Sequence, residues 1–136
     1  MAHYVLVCGG GDITNDVAGL AMDNVLTFLK HFYGADMRLL HGNAPGIDAL
    51  AAEIGRHLEI PTKEYPEAGI DQNRRMCNLL LAWEQKGHSV EVIAFPGGSG
   101  TAHLTDFAER LGLNVTYIPL DLPQPTQESL PGVGSQ

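Results

Sequence analysis

The chain has 136 residues, of which 44% are hydrophobic and 18% are charged, and this length and composition predict one globular domain. The formal net charge is −8, with eight Lys and Arg residues in total. This charge argues against a protein that wraps a nucleic-acid backbone, because neutralising phosphates requires a surplus of cations. A small anion held by backbone amides remains compatible with it.

Signals for membrane insertion, secretion and metal binding are missing from the sequence. No apolar run reaches the ~18 to 20 residues that span a bilayer, and Met1 leads into an apparent strand without a basic and then apolar leader. The two cysteines, Cys8 and Cys77, predict reduced core residues, and the six histidines form no cluster with metal-ligand spacing. We therefore expect a cytoplasmic protein with no membrane partner, metal or other cofactor.

Strand-like and helix-like segments alternate along the chain. Residues 3–8 are an apolar run closed by three glycines, which predicts a buried strand. After a cap at Asn15 or Asp16, apolar residues at spacings of three and four predict a helix that ends at Gly34. The alternation continues with strands at 37–41, 62–65, 89–95 and 114–118 and helices at 47–58, 74–85 and 101–111.

This alternation predicts a single-domain α/β fold of the Rossmann-like, doubly wound kind, with a parallel sheet of about five strands. The domain covers residues 1–118. The stretch from 119 to 136 is rich in proline and poor in apolar residues, which predicts a flexible tail without chemistry of its own.

Three glycine-bearing loops follow predicted strands, and an open parallel sheet binds its ligand at the carboxyl ends of its strands. Glycine lets a ligand approach the main chain, and the helix that follows offers unpaired amides and the positive end of its dipole. The candidate ligand-binding residues are Gly9, Gly10, Gly11 and Asp12 in the first loop, Gly42 and Asn43 in the second, and Pro96, Gly97, Gly98, Ser99, Gly100 and Thr101 in the third.

The three loops differ in how strongly their sequences indicate a ligand-binding site. The third gathers three glycines and Thr101 at a helix start, which predicts an anion site; the alternative is a tight turn that Thr101 caps. The first loop, CGGGD, is not G-x-G-x-x-G, so a bare turn is equally compatible with it. After the second loop, Asp48 could favour the helix dipole, orient loop amides or accept a ribose hydroxyl.

Charged and titratable side chains add further candidates. Arg74 and Arg75, preceded by Asn73, stand at a predicted helix start, where arginine opposes the dipole. An anionic contact would explain them, and a solvated surface pair is the alternative. His41 and His103 lie beside the loops and could exchange protons. The simpler interpretation is a hydrogen-bonded strand-end histidine at His41 and a solvent-facing histidine at His103.

Four motifs occur in order along the chain: VCGGGD at 7–12, HGNAPGIDALAAE at 41–53, NRRM at 73–76 and AFPGGSGTA at 94–102. In this order they resemble the SLOG superfamily, which includes the lysine-decarboxylase-like cytokinin phosphoribohydrolases and the DNA-processing protein DprA. The short YspA-like and YpsA-related members look most similar. The resemblance covers roughly residues 4–118.

The resemblance implies a nucleotide or nucleotide-derived ligand over the loop amides. In the phosphoribohydrolase branch, an arginine ahead of the final strand and a glutamate three residues after the motif threonine cleave the N-glycosidic bond. Arg74 or Arg75 can fill the first role. The second position holds Leu104, and leucine can neither stabilise oxocarbenium charge nor activate water. Asp106 and Glu109 lie further along the same predicted helix.

We therefore expect a domain that binds a nucleotide-derived ligand, with phosphates on the glycine loops, Arg74 as charge partner, and Asp12, Asn43 and Asp48 at the sugar. One alternative is a nucleoside-monophosphate phosphoribohydrolase. Its candidate catalytic residues are Arg74 with Asp106, Glu109 or Asp12 as acid or base. The other alternative is a subunit that recognises a protein or single-stranded DNA. Analogy with related domains predicts a homo-oligomer.

Overall fold

A computed structural model describes residues 1–65 and 70–120 of the chain, so the predicted tail lies outside the described residues from position 121 onward. None of the described helices combines the length and the apolar content that crossing a bilayer requires. Within the described residues, strands and helices alternate in the order β1 (His3–Cys8), α1 (Asp16–Tyr33), β2 (Met37–His41), α2 (Ile47–His57), β3 (Thr62–Glu64), α3 (Ile70–Gln85), β4 (Ser89–Ala94), α4 (Ser99–Arg110) and β5 (Val115–Tyr117).

The five described strands pair in parallel in one sheet, in the order β3-β2-β1-β4-β5. The chain builds outward from β1 to β3 and then returns to the other side of β1 for β4 and β5. The predicted Rossmann-like, doubly wound α/β fold is therefore confirmed. Such sheets bind ligands where the strand order reverses, and the loops after β1 and β4 begin at that point.

Helices cover both faces of the sheet, which explains the apolar character of its central strand. Residues 5–8 of β1 are all buried, as expected for a parallel strand between two layers of helices. Because successive side chains alternate between the faces, Val5 lies in the core shared with α1 and α2, whereas Leu6 lies in the core shared with α3 and α4. Cys8 and Cys77 are buried and unbridged in the second core, which confirms them as core residues.

Two helices begin earlier than predicted. α3 begins at Ile70 and not at Arg74, so Arg74 and Arg75 lie in its second turn, and the prediction that they oppose the dipole at its amino terminus is wrong. α4 begins at Ser99 with Gly98 as N-cap, so Thr101 lies in the first turn and does not cap the helix. The other helix and strand ends differ from the prediction by at most one residue.

A buried histidine links β1 to β4 at the end of the sheet opposite the glycine loops. His3 is 4% exposed, and its Nε2 lies 2.5 Å from Glu91 Oε2 while its Nδ1 lies 2.6 Å from Ser89 Oγ. The ring stacks on Tyr33 with centroids 3.6 Å apart. These contacts satisfy both ring nitrogens of a side chain that water does not reach.

Replacing Glu91 with Leu should lower the free energy of unfolding by ~1–3 kcal/mol, because His3 Nε2 would then be buried without a partner. Glu91→Gln keeps a hydrogen-bonding group, so its free energy of unfolding should fall by less than that of Glu91→Leu. Urea unfolding followed by circular dichroism measures both values. The exposed Glu84 of α3 provides the control, and Glu84→Leu should stay within ~0.5 kcal/mol of the wild type. Equal stability of Glu91→Leu and wild type would contradict this role for the His3 contact.

Candidate functional site

A crevice of about 760 Å³ opens at the carboxyl ends of β1 and β4. Parts of all three glycine-bearing loops line it, together with the first two turns of α3. Of the predicted ligand-binding residues, the crevice is lined by Gly9, Gly10, Gly11, Asp12, Asp48, Asn73, Gly98, Ser99, Gly100 and Thr101. The fold therefore brings residues from separate parts of the sequence to one place.

Main-chain contacts at Gly10 hold the three loops together. The Gly10 amide donates a hydrogen bond to the Pro96 carbonyl at 2.8 Å, and the Ile47 amide donates to the Gly10 carbonyl at 3.1 Å. Both bonds join backbone atoms, so neither depends on which side chains face the crevice. The first loop is thus the link between the other two.

The close approach of the three loop backbones requires glycine at two positions. A Cβ at Gly97 would lie 2.2 Å from Thr101 Oγ1 and 2.8 Å from Gly10 N. Gly46 has a φ of +73°, and a Cβ there would lie 2.3 Å from Gly10 O. Pro96 and Gly97 do not line the crevice; their part is to set the geometry of the third loop.

Free space surrounds the start of α4. A Cβ at Gly98 or Gly100 would meet no other atom within 4 Å, and Gly98 has an ordinary φ of −91°. The first hydrogen bond into the helix runs from Ala102 N to Gly98 O at 3.1 Å. The amides of Ser99, Gly100 and Thr101 precede it and have no acceptor within the helix.

The positive end of the α4 dipole is also uncompensated. α1, α2 and α3 carry Asp16, Asp48 and Asp71 in their first turns, whereas the first turn of α4 carries no acidic residue. Carboxylates in a first turn offset the partial positive charge of a helix amino terminus, and without them that charge attracts anions. The start of α4 is therefore the best suited of these helix ends to hold an anion.

Apolar side chains form the inner surface of the crevice, which we call its floor. They are Val7 and Cys8 of β1, Met76 of α3 and Leu104 of α4, each at most 6% exposed. Burial raises the pKa of the Cys8 thiol to about 12, with a smaller contribution from the Asp48 carboxylate. The thiol is therefore protonated in neutral solution and is not a nucleophile. An apolar floor suits an uncharged planar group such as a nucleobase.

Asp48 lies between this crevice and a smaller neighbouring pocket of about 250 Å³. Its Oδ2 accepts a hydrogen bond from the Ala44 amide at 3.2 Å, which confirms the predicted role of orienting a loop amide. Burial raises the pKa of Asp48 from its ordinary value of 3.8 to about 6; the Ala44 amide and His41 lower it, and Glu64 raises it further. The carboxyl group can therefore change its charge in mildly acidic solution.

Gln72 is a site residue that the sequence analysis missed. It is buried and lines the crevice, and its Nε2 donates to the Tyr65 carbonyl at 3.0 Å and to Asn43 Oδ1 at 3.3 Å. A Cβ at Gly42 would lie 3.0 Å from Gln72 Nε2, so glycine makes room for this contact. Gly42 and Asn43 themselves line the smaller pocket. Predicting the true start of α3 would have placed Gln72 in its first turn, beside Asn73.

The two arginines predicted as charge partners lie outside the lining of the crevice. Arg74 and Arg75 are exposed on α3, and the Arg74 guanidinium carbon lies 6.0 Å from the centroid of the Phe107 ring on α4. At that distance a cation and a ring attract each other weakly. Arg74 therefore has a contact on the outer surface between the two helices.

The two acids predicted further along α4 also lie outside the lining. Asp106 Oδ2 lies 2.9 Å from Arg110 Nη2, one turn away, and Glu109 accepts a hydrogen bond from the β5 tyrosine hydroxyl at 3.2 Å. Both are exposed. Leu104 lies in the floor, at the position where the resemblance implies a catalytic glutamate, and Asp12 is the one candidate acid of this set that lines the crevice.

The two histidines beside the loops have different surroundings. His41 is 3% exposed, and its Nδ1 lies 2.6 Å from the Gly42 carbonyl oxygen, which confirms the hydrogen-bonded strand-end histidine. His103 is half-buried and lines the crevice, with its Nδ1 3.3 Å from Asn73 Nδ2. The prediction of a solvent-facing His103 is wrong, because α3 packs against α4 and brings Asn73 to it.

Comparison with models of known protein families finds no match for this chain, and a search of curated proteins finds none either. Within residues 1–65 and 70–120, no three His, Cys, Asp or Glu side chains lie close enough together to hold a metal ion. The function of the crevice therefore has to follow from its own geometry and charge.

Replacing Gly97 with Ala should lower the free energy of unfolding by about 1–3 kcal/mol, because the added methyl group collides with Thr101 and with the backbone of the first loop. Gly98→Ala is the matched control one residue away, and its stability should stay within about 1 kcal/mol of the wild type, because the added methyl group meets open space and the N-cap preference for glycine opposes the gain in chain stiffness. Chemical denaturation compares the two variants. Equal stabilities would show that the loops do not approach each other as closely as described.

Replacing Asp48 with Asn should remove a pH-dependent contribution to the free energy of unfolding. Because its pKa is raised in the folded protein, the folded state binds the proton more tightly than the unfolded chain. The resulting stabilisation is complete below about pH 4 and is lost as the pH rises through about 6. The stability of Asp48→Asn relative to wild type should therefore rise from pH 4 to pH 7, by on the order of 1–3 kcal/mol.

Urea unfolding at several pH values between 4 and 8 measures this difference. Asp36→Asn replaces an exposed carboxylate far from the crevice and serves as the control, with a difference from wild type within ~0.5 kcal/mol across the range. A pH-independent difference for Asp48→Asn would rule out a raised pKa at this carboxyl group.

Proposed function

We propose that the crevice binds a nucleotide or nucleotide-derived ligand, with a phosphoryl group at the start of α4 and the base over the apolar floor. The proposal includes membership of the SLOG superfamily, which the order of the four glycine-rich and polar motifs supports. One observation carries it: an uncompensated helix amino terminus, free of side chains at Gly98 and Gly100, opens into a crevice of about 760 Å³.

The phosphoryl position follows from the direction of the amides. Ser99, Gly100 and Thr101 offer N–H groups that the helix leaves without acceptors, and a phosphoryl group presents several acceptor oxygens to such a cluster. Because glycine leaves open space at 98 and 100, the ligand can approach the main chain itself. Arg74 is not required for this contact, since it lies outside the lining of the crevice.

The remainder of the crevice suits a nucleoside. The apolar floor offers contact area for a base, whereas Asp12 and Asp48 offer carboxylate oxygens in the lining of the crevice. Carboxylates bind ribose hydroxyls in nucleotide sites of doubly wound folds. Asn43, predicted at the sugar, lines the smaller pocket that shares Asp48 with the crevice.

We propose capture of the ligand rather than hydrolysis of it. Cleavage of an N-glycosidic bond needs a group that stabilises developing positive charge or activates water. Leu104 cannot do either, and Asp106 and Glu109 are exposed with surface partners. Asp12 does line the crevice, and the proposal assigns its carboxylate to the sugar hydroxyls. A protein of this kind would act as a sensor or a carrier of its ligand.

A thermal-shift assay tests the proposal with nucleoside mono- and diphosphates and inorganic phosphate as probes. Binding to the folded state alone raises the melting temperature, and we expect this shift without release of free base, which chromatography of the same samples detects. Gly98→Val should abolish the shift, because the side chain fills the space in front of the amides. Ala102→Val places the same side chain at an exposed position of α4 outside the lining and should keep the shift.

The outcomes separate the alternatives. Release of free base would show that the protein is a phosphoribohydrolase and not a binding protein. An unchanged shift in Gly98→Val would contradict the position of the phosphoryl group. No shift with any probe, together with retention of single-stranded DNA at moderate salt, would favour a subunit that recognises nucleic acid.

A further inference from the structure

An asparagine and a histidine meet where α3 packs against α4 at the rim of the crevice. Asn73 Nδ2 lies 3.2 Å from the Gly100 carbonyl oxygen and 3.3 Å from His103 Nδ1. Both side chains are half-buried and line the crevice. The pair forms part of the wall into which the start of α4 opens.

The Gly100 carbonyl determines which way the Asn73 amide faces. A carbonyl oxygen only accepts hydrogen bonds, so the atom beside it has to be the Asn73 nitrogen, whose two hydrogens allow two bonds. The second hydrogen then points to His103 Nδ1, which accepts it with a lone pair. A neutral imidazole that accepts at Nδ1 carries its proton at Nε2.

The remaining N–H of His103, at Nε2, has no acceptor among residues 1–65 and 70–120, within which the ring's hydrogen bond is the one at Nδ1. His103 follows Ser99 by four residues and Gly100 by three, and such neighbours share one face of a helix. The ring therefore lies one turn beyond the amides at the start of α4, on the side that borders the crevice.

The charge of the crevice explains why this N–H donor matters for binding an anionic ligand. Among the described residues of its lining, Asp12 and Asp48 are the acids, and none is Lys or Arg. A ligand oxygen that carries negative charge can then find donors only in backbone amides and uncharged side chains. His103 offers a side-chain N–H of this kind.

We infer that His103 is a ligand-binding residue that donates its Nε2–H to a phosphoryl oxygen of the nucleotide, and that Asn73 is a positioning residue that holds the ring in this tautomer. This inference rests on the proposed function of the crevice. It adds a specific donor to the amides at the start of α4, supplied by the contact between two helices.

Nuclear magnetic resonance tests the tautomer without any ligand. Long-range ¹H–¹⁵N correlation of the labelled histidines at pH 8, where an ordinary histidine is neutral, distinguishes Nε2–H from Nδ1–H rings. The signals that disappear in His103→Gln belong to His103, and we expect the Nε2–H pattern. Asn73→Asp should convert it to Nδ1–H, because a carboxylate accepts where the amide donated. Asn78→Asp makes the same charge change at an exposed position of α3 and should leave it unaltered.

Binding of nucleoside 5′-monophosphates and inorganic phosphate by calorimetry tests the contact. His103→Asn should weaken binding about 10- to 100-fold, as expected for loss of one hydrogen bond to a charged group. His103→Gln is long enough to place an N–H near the Nε2 position and should stay within about threefold of wild type. His57→Asn, at the exposed end of α2, is the matched control and should bind as wild type does.

Each result decides the inference. An Nε2–H ring in the wild type, with weak binding by His103→Asn and near-normal binding by His103→Gln, supports it. An Nδ1–H ring overturns it, as does equal loss in both variants, which would indicate a structural role for the ring. Wild-type binding that Gly98→Val abolishes and His103→Asn leaves unchanged overturns it while the proposed function stands. Absence of wild-type binding to every probe overturns both.

Discussion

The site depends on two hydrogen bonds of one residue: Gly10 donates to the Pro96 carbonyl and accepts from the Ile47 amide. These bonds join the loop after β1 to the loop after β4 and to the start of α2. The sheet alone would leave three strand-to-helix connections side by side at its carboxyl edge. The Gly10 bonds join these connections into one continuous surface. The lack of side chains at Gly46 and Gly97 allows the loop backbones to approach closely enough for those bonds to form.

The electrostatics of the crevice divide it into regions with different preferences. At the start of α4, unpaired amides and an uncompensated dipole favour negative charge, whereas the carboxylates of Asp12 and Asp48 in the lining disfavour it. The floor is apolar and disfavours charge of either sign. Under the proposed function, a molecule with an anionic group, a nonpolar part and hydroxyl groups would meet these requirements.

Much of the fold and part of the site could be predicted from the sequence, because both arise from local patterns. Apolar periodicity located the strands and helices, and glycines after strands located the loops. The start of α3 could not be predicted, since its first four residues include Asp71, Gln72 and Asn73 and show no apolar spacing. The pairing of Asn73 with His103 spans 30 residues and depends on the packing of α3 against α4, which no local signal reports.

Because the bonds at Gly10 involve only main-chain atoms, the architecture of the loops depends on glycine at 46 and 97 and not on the side chains that project into the crevice. Side chains at the rim, such as Asp12, Ser99 and His103, can change in the course of evolution without loosening that architecture. Under the proposed function, exchange of such rim side chains would change which ligand the crevice binds while the contacts at Gly10 remain.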